Sequence, residues 1–187
     1  PGCVVPRVEI ANPKTFAELQ AVCERFDRWP IIVRARGYHG GENMVLVSDA
    51  AQLESIENLS WLYKGIFLIE FFDFKNADGL YQKIRVVMVD GIPYLRHCII
   101  SDKWAIHSGS RSELMDHDID LCYREEKFLA QFCDDGLKEY GQIFQEIHRR
   151  MGLDVFGIDF ALVNGQLVVF EANPCMSFLG DRYGDDD

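Results

Sequence analysis

The sequence predicts an α+β protein whose sheets are mainly antiparallel. Two segments have the alternating pattern of paired strands joined by a turn: 81–101 around Asp90-Gly91, and 155–174 around Asn164-Gly165. Apolar residues recur at helical spacing from 137 to 151, between these segments. Separate strand pairs and an amphipathic helical region together favour this fold class.

The first 72 residues have the pattern of one helix and three strands. Thr15-Phe-Ala-Glu18 is a capping-box signature, and the helix that it starts should end before Trp29-Pro30. Ile31–Val33 and Met44–Val47 predict two antiparallel strands joined by a glycine-rich loop. Ser48 or Asp49 should cap a short helix, and 65–72 predicts a buried strand.

A chain of 187 residues can form one sizeable core or two small lobes that share a cleft. The segment 73–79 is polar, and we expect a boundary there, with lobes at 1–72 and 73–187. From about 112 to 151 the pattern is helical, and Gly152 should end the last helix.

Composition excludes several classes of protein. The net charge of -11 argues against general nucleic-acid binding. No apolar run approaches the roughly 20 residues that span a bilayer, so we expect no membrane contact. The six scattered cysteines are typical of reduced thiols in a cytosolic protein, so we expect a cytoplasmic location. The abrupt start at Pro1-Gly2 leaves open that flanking domains belong to a longer protein.

The hairpin at 155–174 carries acidic residues in an otherwise apolar pattern, and its register decides where they point. A strict two-residue turn would place Glu171 among the phenylalanines, which costs roughly several kcal/mol for an unpaired carboxylate. A three-residue loop at 164–166 instead pairs Phe160 with Phe170 and Asp159 with Glu171. We favour this second register.

Two carboxylates opposite each other repel unless a cation lies between them. Together with Asn173, Asp159 and Glu171 form a set of hard oxygen ligands suited to Mg²⁺ or Mn²⁺. A solvated face with scattered acids is the alternative interpretation.

In the hairpin at 81–101, a two-residue turn would place Arg85 opposite Arg96. Two guanidinium groups in that position need an anion or an acid between them, and Lys83 extends the basic strip on the same face. An intramolecular salt bridge to Asp159 or Glu171 is the alternative.

The glycine-rich loop offers a second candidate anion site. Arg34 and Arg36 would share a face of a regular strand, and the backbone N–H groups near Gly40 and Gly41 can approach phosphate oxygens. A flexible hairpin tip with two surface arginines is the alternative. The sequence contains neither a Walker A motif nor a Rossmann fingerprint, and no Ser-His-Asp arrangement is evident.

In chain order, these segments resemble the ATP-grasp family. The similar segments are Pro30–Gly37 with His39-Gly40-Gly41, Leu68–Phe72, Lys83–Gly91, and Gly157–Asp159 with Val169–Pro174. The resemblance implies Mg²⁺-ATP (or Mn²⁺-ATP) bound between two lobes. It also implies a ligase that activates a small-molecule or peptide carboxylate as an acylphosphate, which an amine then attacks.

The resemblance also implies roles for particular residues. The metal ligands would be Asp159, Glu171 and Asn173; the phosphate contacts Arg34, Arg36, Gly40 and Gly41; the adenine contacts Glu70, Phe71 and Phe72. Arg85 would stabilise the transferring phosphoryl group, and Arg96 and Trp104 would contact substrate.

Two features depart from the family pattern. Arg34 stands where lysine is usual, and we expect this chain to be too short to include the usual N-terminal substrate domain. Two other functions therefore stay open: a nucleotide-binding module without turnover, and an ATP-grasp phosphotransferase. The sequence does not reveal the acid, the amine or the oligomeric state.

Overall fold

The computed structural model describes residues 1–38, 42–107 and 109–176. The chain forms two compact units, a first unit of Pro6–Asp73 and a second unit of Pro1–Val5 with Phe74–Asp187. Each unit contains one sheet and its own helices, so the predicted α+β class is confirmed. None of the helices among these residues is long and apolar enough to cross a membrane.

The units differ from the expected lobes at the N terminus. Strand β1 (Gly2–Val4) pairs in parallel with β9 (Gln166–Asn173), near the other end of the chain. Residues 1–5 therefore lie in the second unit, whereas the expected first lobe comprised 1–72. A strand of only three residues is too short for its sequence pattern to indicate a partner near the other end of the chain.

In the first unit, four strands form an antiparallel sheet in the order β2 (Val8–Ala11), β5 (Ile66–Glu70), β3 (Ile31–Ala35), β4 (Met44–Val47). One face packs against α1 (Phe16–Phe26) and two 3-10 helices (Ala50–Ile56 and Ser60–Lys64).

The predicted caps of the first unit are present. Thr15 is the N-cap of α1, and its Oγ1 accepts the Glu18 N–H at 3.2 Å. Asp49 is the N-cap of the first 3-10 helix, and its side chain accepts the Gln52 N–H at 3.1 Å.

The sheet of the second unit has the order β1-β9-β8-β6-β7. Strands β6 (Tyr81–Val89), β7 (Ile92–Ser101), β8 (Val155–Val163) and β9 pair with one another in antiparallel fashion, whereas β1 is parallel to β9. One face forms the apolar core with the helices, and the largest fully buried side chains there are Phe144, Phe156 and Phe160.

The helical region of the second unit is interrupted, whereas the sequence pattern predicted one region from about 112 to 151. Its elements are α2 (Ser110–Leu114), a 3-10 turn (Met115–His117), α3 (Ile119–Gln131), a π-helical turn (Phe132–Gly136), α4 (Leu137–Glu139) and α5 (Gly141–Met151). Asp118 caps α3, because its side chain accepts two backbone N–H groups. Gly152 ends α5 with φ 62°, as predicted.

Helix α3 covers the edge strand β7. The buried carboxylate of Glu125 accepts the backbone N–H of Cys98 at 3.0 Å and pairs with Arg111 at 2.7 Å. A strand edge with its N–H groups covered in this way cannot pair with another chain at that point.

Both hairpins of the second unit have two-residue turns. The four turn residues have positive φ: Asp90 48°, Gly91 78°, Asn164 51° and Gly165 74°. Val89 pairs with Ile92, as predicted, and Val163 pairs with Gln166. The predicted three-residue loop at 164–166 is therefore wrong.

We predict opposite effects of one substitution at two glycines of this unit. An added Cβ meets no atom within 4 Å at either Gly165 or Gly141. Gly165 has φ 74°, so Gly165→Ala should destabilise the protein by roughly 1–2 kcal/mol. Gly141 is helical, so Gly141→Ala should stabilise it by roughly 0.5–1 kcal/mol.

Urea denaturation of the two variants and the parent chain measures both effects. Equal midpoints for the two variants would contradict the assigned turn.

Candidate functional site

A row of ionisable side chains crosses four strands of the second unit. The register pairs His97 of β7 with Arg85 of β6, Arg85 with Asp159 of β8, and Asp159 with Glu171 of β9. Directly paired residues of neighbouring strands point to the same face of a sheet. This row therefore lies on the face opposite the apolar core.

Two β-bulges create the row. The register between β8 and β9 shifts between Asp159 and Phe160 of β8. Phe170 of β9 is therefore an extra residue without a partner in the register, and Glu171 lies opposite Asp159. The expected pairing of Phe160 with Phe170 is wrong, because Phe160 pairs with Val169. The expected pairing of Asp159 with Glu171 is confirmed, although a bulge produces it and not an odd loop.

The second bulge lies in β7. The register shifts between Arg85 and Val86, so Arg96 is the extra residue and His97 lies opposite Arg85. The predicted pairing of Arg85 with Arg96 is therefore wrong. A bulge here avoids the repulsion of two facing guanidinium groups, because it places an uncharged ring opposite Arg85.

Asp159 is buried at the centre of the row and is bound by two basic side chains. Arg85 Nε contacts its Oδ1 at 2.6 Å and Arg85 Nη2 contacts its Oδ2 at 2.9 Å, which is a bidentate pair. Lys83 Nζ lies 3.1 Å from Oδ2. The salt bridge that the sequence analysis weighed as an alternative is therefore present.

These contacts shift the pKa of both partners. Burial acts to raise the pKa of Asp159, but the Arg85 hydrogen bond and the charges of Lys83 and Arg85 outweigh it, and the pKa is lowered. The hydrogen bond to Asp159 raises the pKa of Arg85, and the charge of Glu171 adds to that effect. The Asp159 carboxylate is therefore ionised throughout the neutral pH range.

Glu171 and Asn173 continue the polar face towards solvent. The Glu171 side chain is exposed, and its Oε1 accepts a hydrogen bond from Asn173 Nδ2 at 2.8 Å. The Asn173 amide oxygen accepts the Cys175 N–H at 2.7 Å. Asn173 pairs with Gly157, so it shares the face of Asp159 and Glu171.

The donor chemistry of Asp159, Glu171 and Asn173 fits Mg²⁺ or Mn²⁺, which prefer carboxylate and amide oxygens. Only two of the three are acids, and no group of three or more His, Cys, Asp or Glu side chains in the described ranges could hold a metal. Asp159 Oδ2 already contacts Lys83 and Arg85, so a bound cation would share or replace those contacts.

His97 is a member of the row that sequence reasoning missed. Burial and the nearby charge of Arg85 lower its pKa to about 3. Its Nε2 atom is buried and has no hydrogen-bond partner within the described part of the chain. The signal that could have revealed it was the unfavourable arginine pair that a regular hairpin would have produced.

The candidate nucleotide residues of the first unit occupy different positions. Arg34 lies in β3, and its Nη2 donates to the Tyr38 carbonyl at 3.0 Å. Arg36 follows the end of β3, so the regular strand that would align it with Arg34 does not extend that far. Gly40 and Gly41 lie outside the described residues.

The adenine candidates lie at the end of β5. Glu70 is its last residue, and its carboxylate accepts the Arg7 N–H at 3.1 Å. The Phe71 N–H donates to the Pro30 carbonyl at 3.1 Å, and Phe72 follows outside the strand.

Sequence reasoning also missed an apolar surface around Arg34. Arg34 pairs with Met44 on one side and Phe67 on the other, and Phe67 pairs with Ile10. A second row on the same face carries only apolar side chains. Together the apolar members are Val8, Ile10, Ile32, Met44, Leu46, Phe67 and Ile69. The face opposite the helices thus combines one guanidinium group with apolar side chains.

The pKa of His97 predicts a pH dependence of stability. Between the ordinary value of 6.5 and the folded value of about 3, the unfolded chain binds a proton that the folded chain does not. Stability should therefore fall as pH decreases through this window, by roughly 1 kcal/mol per pH unit from this group. The charges of Arg85, Lys83 and Arg96 favour the neutral ring, and that of Asp159 opposes them.

His97→Gln should flatten this part of the profile, measured by urea denaturation from pH 7 to pH 4. His117→Gln, at an exposed histidine, is the matched control and should leave the profile unchanged. Parallel profiles for His97→Gln and the parent chain would contradict the assigned environment.

Comparison with known proteins gives no match to a family model and no match to a curated protein. Solved structures do match. The ATP-grasp ligase PsnB, complexed with a minimal precursor, has a TM-score of 0.52 at 15% identity, over 95% of this chain and 49% of that chain. The D-alanine-D-alanine ligase from Coxiella burnetii has a TM-score of 0.53 at 11% identity, over 95% and 44%.

The ADP complex of purK, an N5-carboxyaminoimidazole ribonucleotide synthetase, has a TM-score of 0.57 at 10% identity, over 94% of this chain and 41% of that chain. This chain therefore spans less than half the length of each of these three proteins. Identities this low show the fold alone. On these likenesses, the chain has the ATP-grasp fold, as its sequence predicted.

Proposed function

We propose that this protein is an ATP-dependent ligase that joins a carboxylate to an amine through an acylphosphate. The observation that carries the proposal is the row of Arg85, Asp159 and Glu171, with Asn173 on the same face of the sheet. It places two carboxylates, one amide and one guanidinium group together on a fold shared with proteins named as ligases.

The row supplies both charges that such chemistry requires. Asp159, Glu171 and Asn173 would hold Mg²⁺ or Mn²⁺, which when bound neutralises nucleotide phosphate charge. Arg85 would stabilise the negative charge that develops on the transferring phosphoryl group. Its bidentate contact with Asp159 fixes the guanidinium plane on the sheet face before any ligand binds.

The first unit would supply nucleotide contacts. Arg34 presents a cation among apolar side chains on one sheet face, a combination that suits an anionic ligand with a flat apolar part. We propose phosphate contacts for Arg34, Arg36, Gly40 and Gly41, and adenine contacts for Glu70, Phe71 and Phe72. Arg96 and Trp104 would contact the acid or amine substrate.

This chemistry needs no protein nucleophile. Formation of an acylphosphate and its attack by an amine depend on positioning and charge neutralisation. The proposed residues act by binding and orienting, and none has to form a covalent bond.

A second candidate function is nucleotide binding without turnover. It is favoured by the two basic groups that already satisfy Asp159, and by arginine in place of lysine at position 34. An ATP-grasp phosphotransferase, with a phosphorylated final product, is the third candidate.

Hydroxylamine trapping separates the three functions. The protein is incubated with Mg²⁺-ATP, pools of amino acids or peptides as carboxylates, and hydroxylamine as the amine. A ligase should release ADP and form a hydroxamate only when a carboxylate is present. A stable phosphorylated product without an amine would identify a phosphotransferase, and nucleotide binding with no ADP release would identify a binding module.

Glu171→Gln should reduce Mg²⁺-dependent nucleotide turnover by at least about 100-fold, because it removes a charged oxygen ligand. The exposed side chain should allow the fold to persist, which circular dichroism checks. Glu126→Gln makes the same change at an exposed position on α3 and should keep full turnover. Unchanged turnover in Glu171→Gln would refute the assigned ligand set.

Arg34→Met should weaken binding of a non-hydrolysable ATP analogue by about tenfold, because a charge-assisted phosphate contact is lost. Arg34→Lys keeps the charge and should bind with an affinity close to that of the parent chain. Arg25→Met removes an exposed arginine from α1 and serves as the control. Thermal shift against analogue concentration, with and without Mg²⁺, measures all four proteins; equal shifts for Arg34→Met and the parent would exclude this phosphate contact.

A further inference from the structure

Lys83 lies beside the proposed cation site but has no role in the function proposed above. It precedes Arg85 by two residues on β6, so both side chains are on the same face. Its Nζ contacts Asp159 Oδ2 at 3.1 Å, and its side chain is only 14% exposed. An ammonium group held this far from water needs a reason, because a neutral residue would avoid the desolvation cost.

Asp159 contacts two basic groups. Its Oδ1 accepts from Arg85 Nε, while its Oδ2 contacts both Arg85 Nη2 and Lys83 Nζ. Arg85 alone provides the bidentate partner that a buried carboxylate requires. Lys83 therefore adds a positive charge beyond what Asp159 needs for its own stability.

Lys83 also contacts the segment that follows β7. Its Nζ donates to the Ile106 carbonyl at 2.8 Å, so one ammonium group binds Asp159 and this segment together. Ile106 lies between β7, which ends at Ser101, and α2, which begins at Ser110. The same segment contains Trp104, a proposed substrate contact.

A divalent cation bound at Asp159 would compete with the Lys83 ammonium group for the lone pairs of Oδ2, which Lys83 Nζ contacts at 3.1 Å. Two positive charges at contact distance repel strongly where water is largely excluded. Occupancy of Oδ2 by one of them disfavours the other.

We propose that Lys83 is a positioning residue that holds Asp159 Oδ2 when no divalent cation is bound, and that it leaves this oxygen when a cation binds. Because the same ammonium group holds the Ile106 carbonyl, its departure from Asp159 changes the position of the segment around Trp104. Cation binding is thereby coupled to the segment proposed to meet the substrate. This inference rests on the proposed function, since it requires a divalent cation at Asp159.

Mn²⁺ binding in the absence of nucleotide tests the competition, and the electron paramagnetic resonance signal of free Mn²⁺ measures it. Lys83→Met should bind Mn²⁺ about tenfold more tightly than the parent chain, because the competing charge is gone. Lys127→Met makes the same charge change at an exposed position on α3 and should bind like the parent. Lys83→Gln is a second neutral variant, in case Lys83→Met does not fold.

The fluorescence of Trp104 tests the coupling. The contribution of Trp104 is the fluorescence of each protein minus the fluorescence of the same protein carrying Trp104→Phe. Mg²⁺ should change this contribution in the parent chain. In Lys83→Met the contribution should already resemble that of the Mg²⁺-saturated parent, and Mg²⁺ should change it little.

The outcomes separate this inference from the proposed function. If the parent chain binds Mn²⁺ and Lys83→Met binds it with equal or lower affinity, the proposed role of Lys83 is wrong. The cation site itself is then still supported. A full Mg²⁺ response of Trp104 in Lys83→Met overturns the coupling. Failure of the parent, Lys83→Met and Lys83→Gln to bind Mn²⁺ overturns the cation site and this inference together.

Discussion

The ion pair between Arg85 and Asp159 is the contact around which the second unit is organised. A buried carboxylate is tolerated only with a partner that satisfies its charge and its hydrogen bonds, and removing one member of such a pair costs about 3–5 kcal/mol. The pair joins β6 to β8, two strands that are distant in sequence but adjacent at the centre of the sheet. The same pair fixes which face is polar and leaves the opposite face for the phenylalanine core.

The two bulges show how a tight turn and a functional register can coexist. Both hairpins have favourable two-residue turns, and a regular ladder from those turns would bring Arg96 to Arg85 and Phe170 to Asp159. One extra residue on β7 and one on β9 bring His97 and Glu171 into the row instead. Bulges often re-aim side chains next to functional sites, and here two of them act on the same row.

The fold alone does not determine the function, because many unrelated activities share one fold. The proposed function depends on the residues of the site. In the proposed function, Asp159, Glu171 and Asn173 would provide oxygen ligands, and Arg85 would provide a fixed cation. Arg34 would provide a second cation on the apolar sheet face of the first unit. Lys83 links a proposed metal ligand to the segment that follows β7, because its ammonium group contacts both Asp159 and the Ile106 carbonyl. Under the proposed function, the acid or amine substrate would contact that segment through Trp104.

The sequence by itself determined the elements that depend on near neighbours. The Thr15 cap, the turn at Asp90-Gly91, the end of α5 at Gly152 and the α+β class all follow from local patterns. The pairing of Asp159 with Glu171 was also predictable, because burying Glu171 among phenylalanines would be costly. The loop proposed to achieve it was wrong, since a bulge changes the register without any change in the turn.

Only the tertiary structure decided which residues meet across strands that are far apart in sequence. It paired β1 with β9, set β6 beside β8, and so gave Arg85 the partner Asp159 in place of Arg96. It also placed His97 in the row and Lys83 against the Ile106 carbonyl. Such contacts depend on strand order and on bulges, and these are set by the packing of the whole sheet and not by any local run of residues.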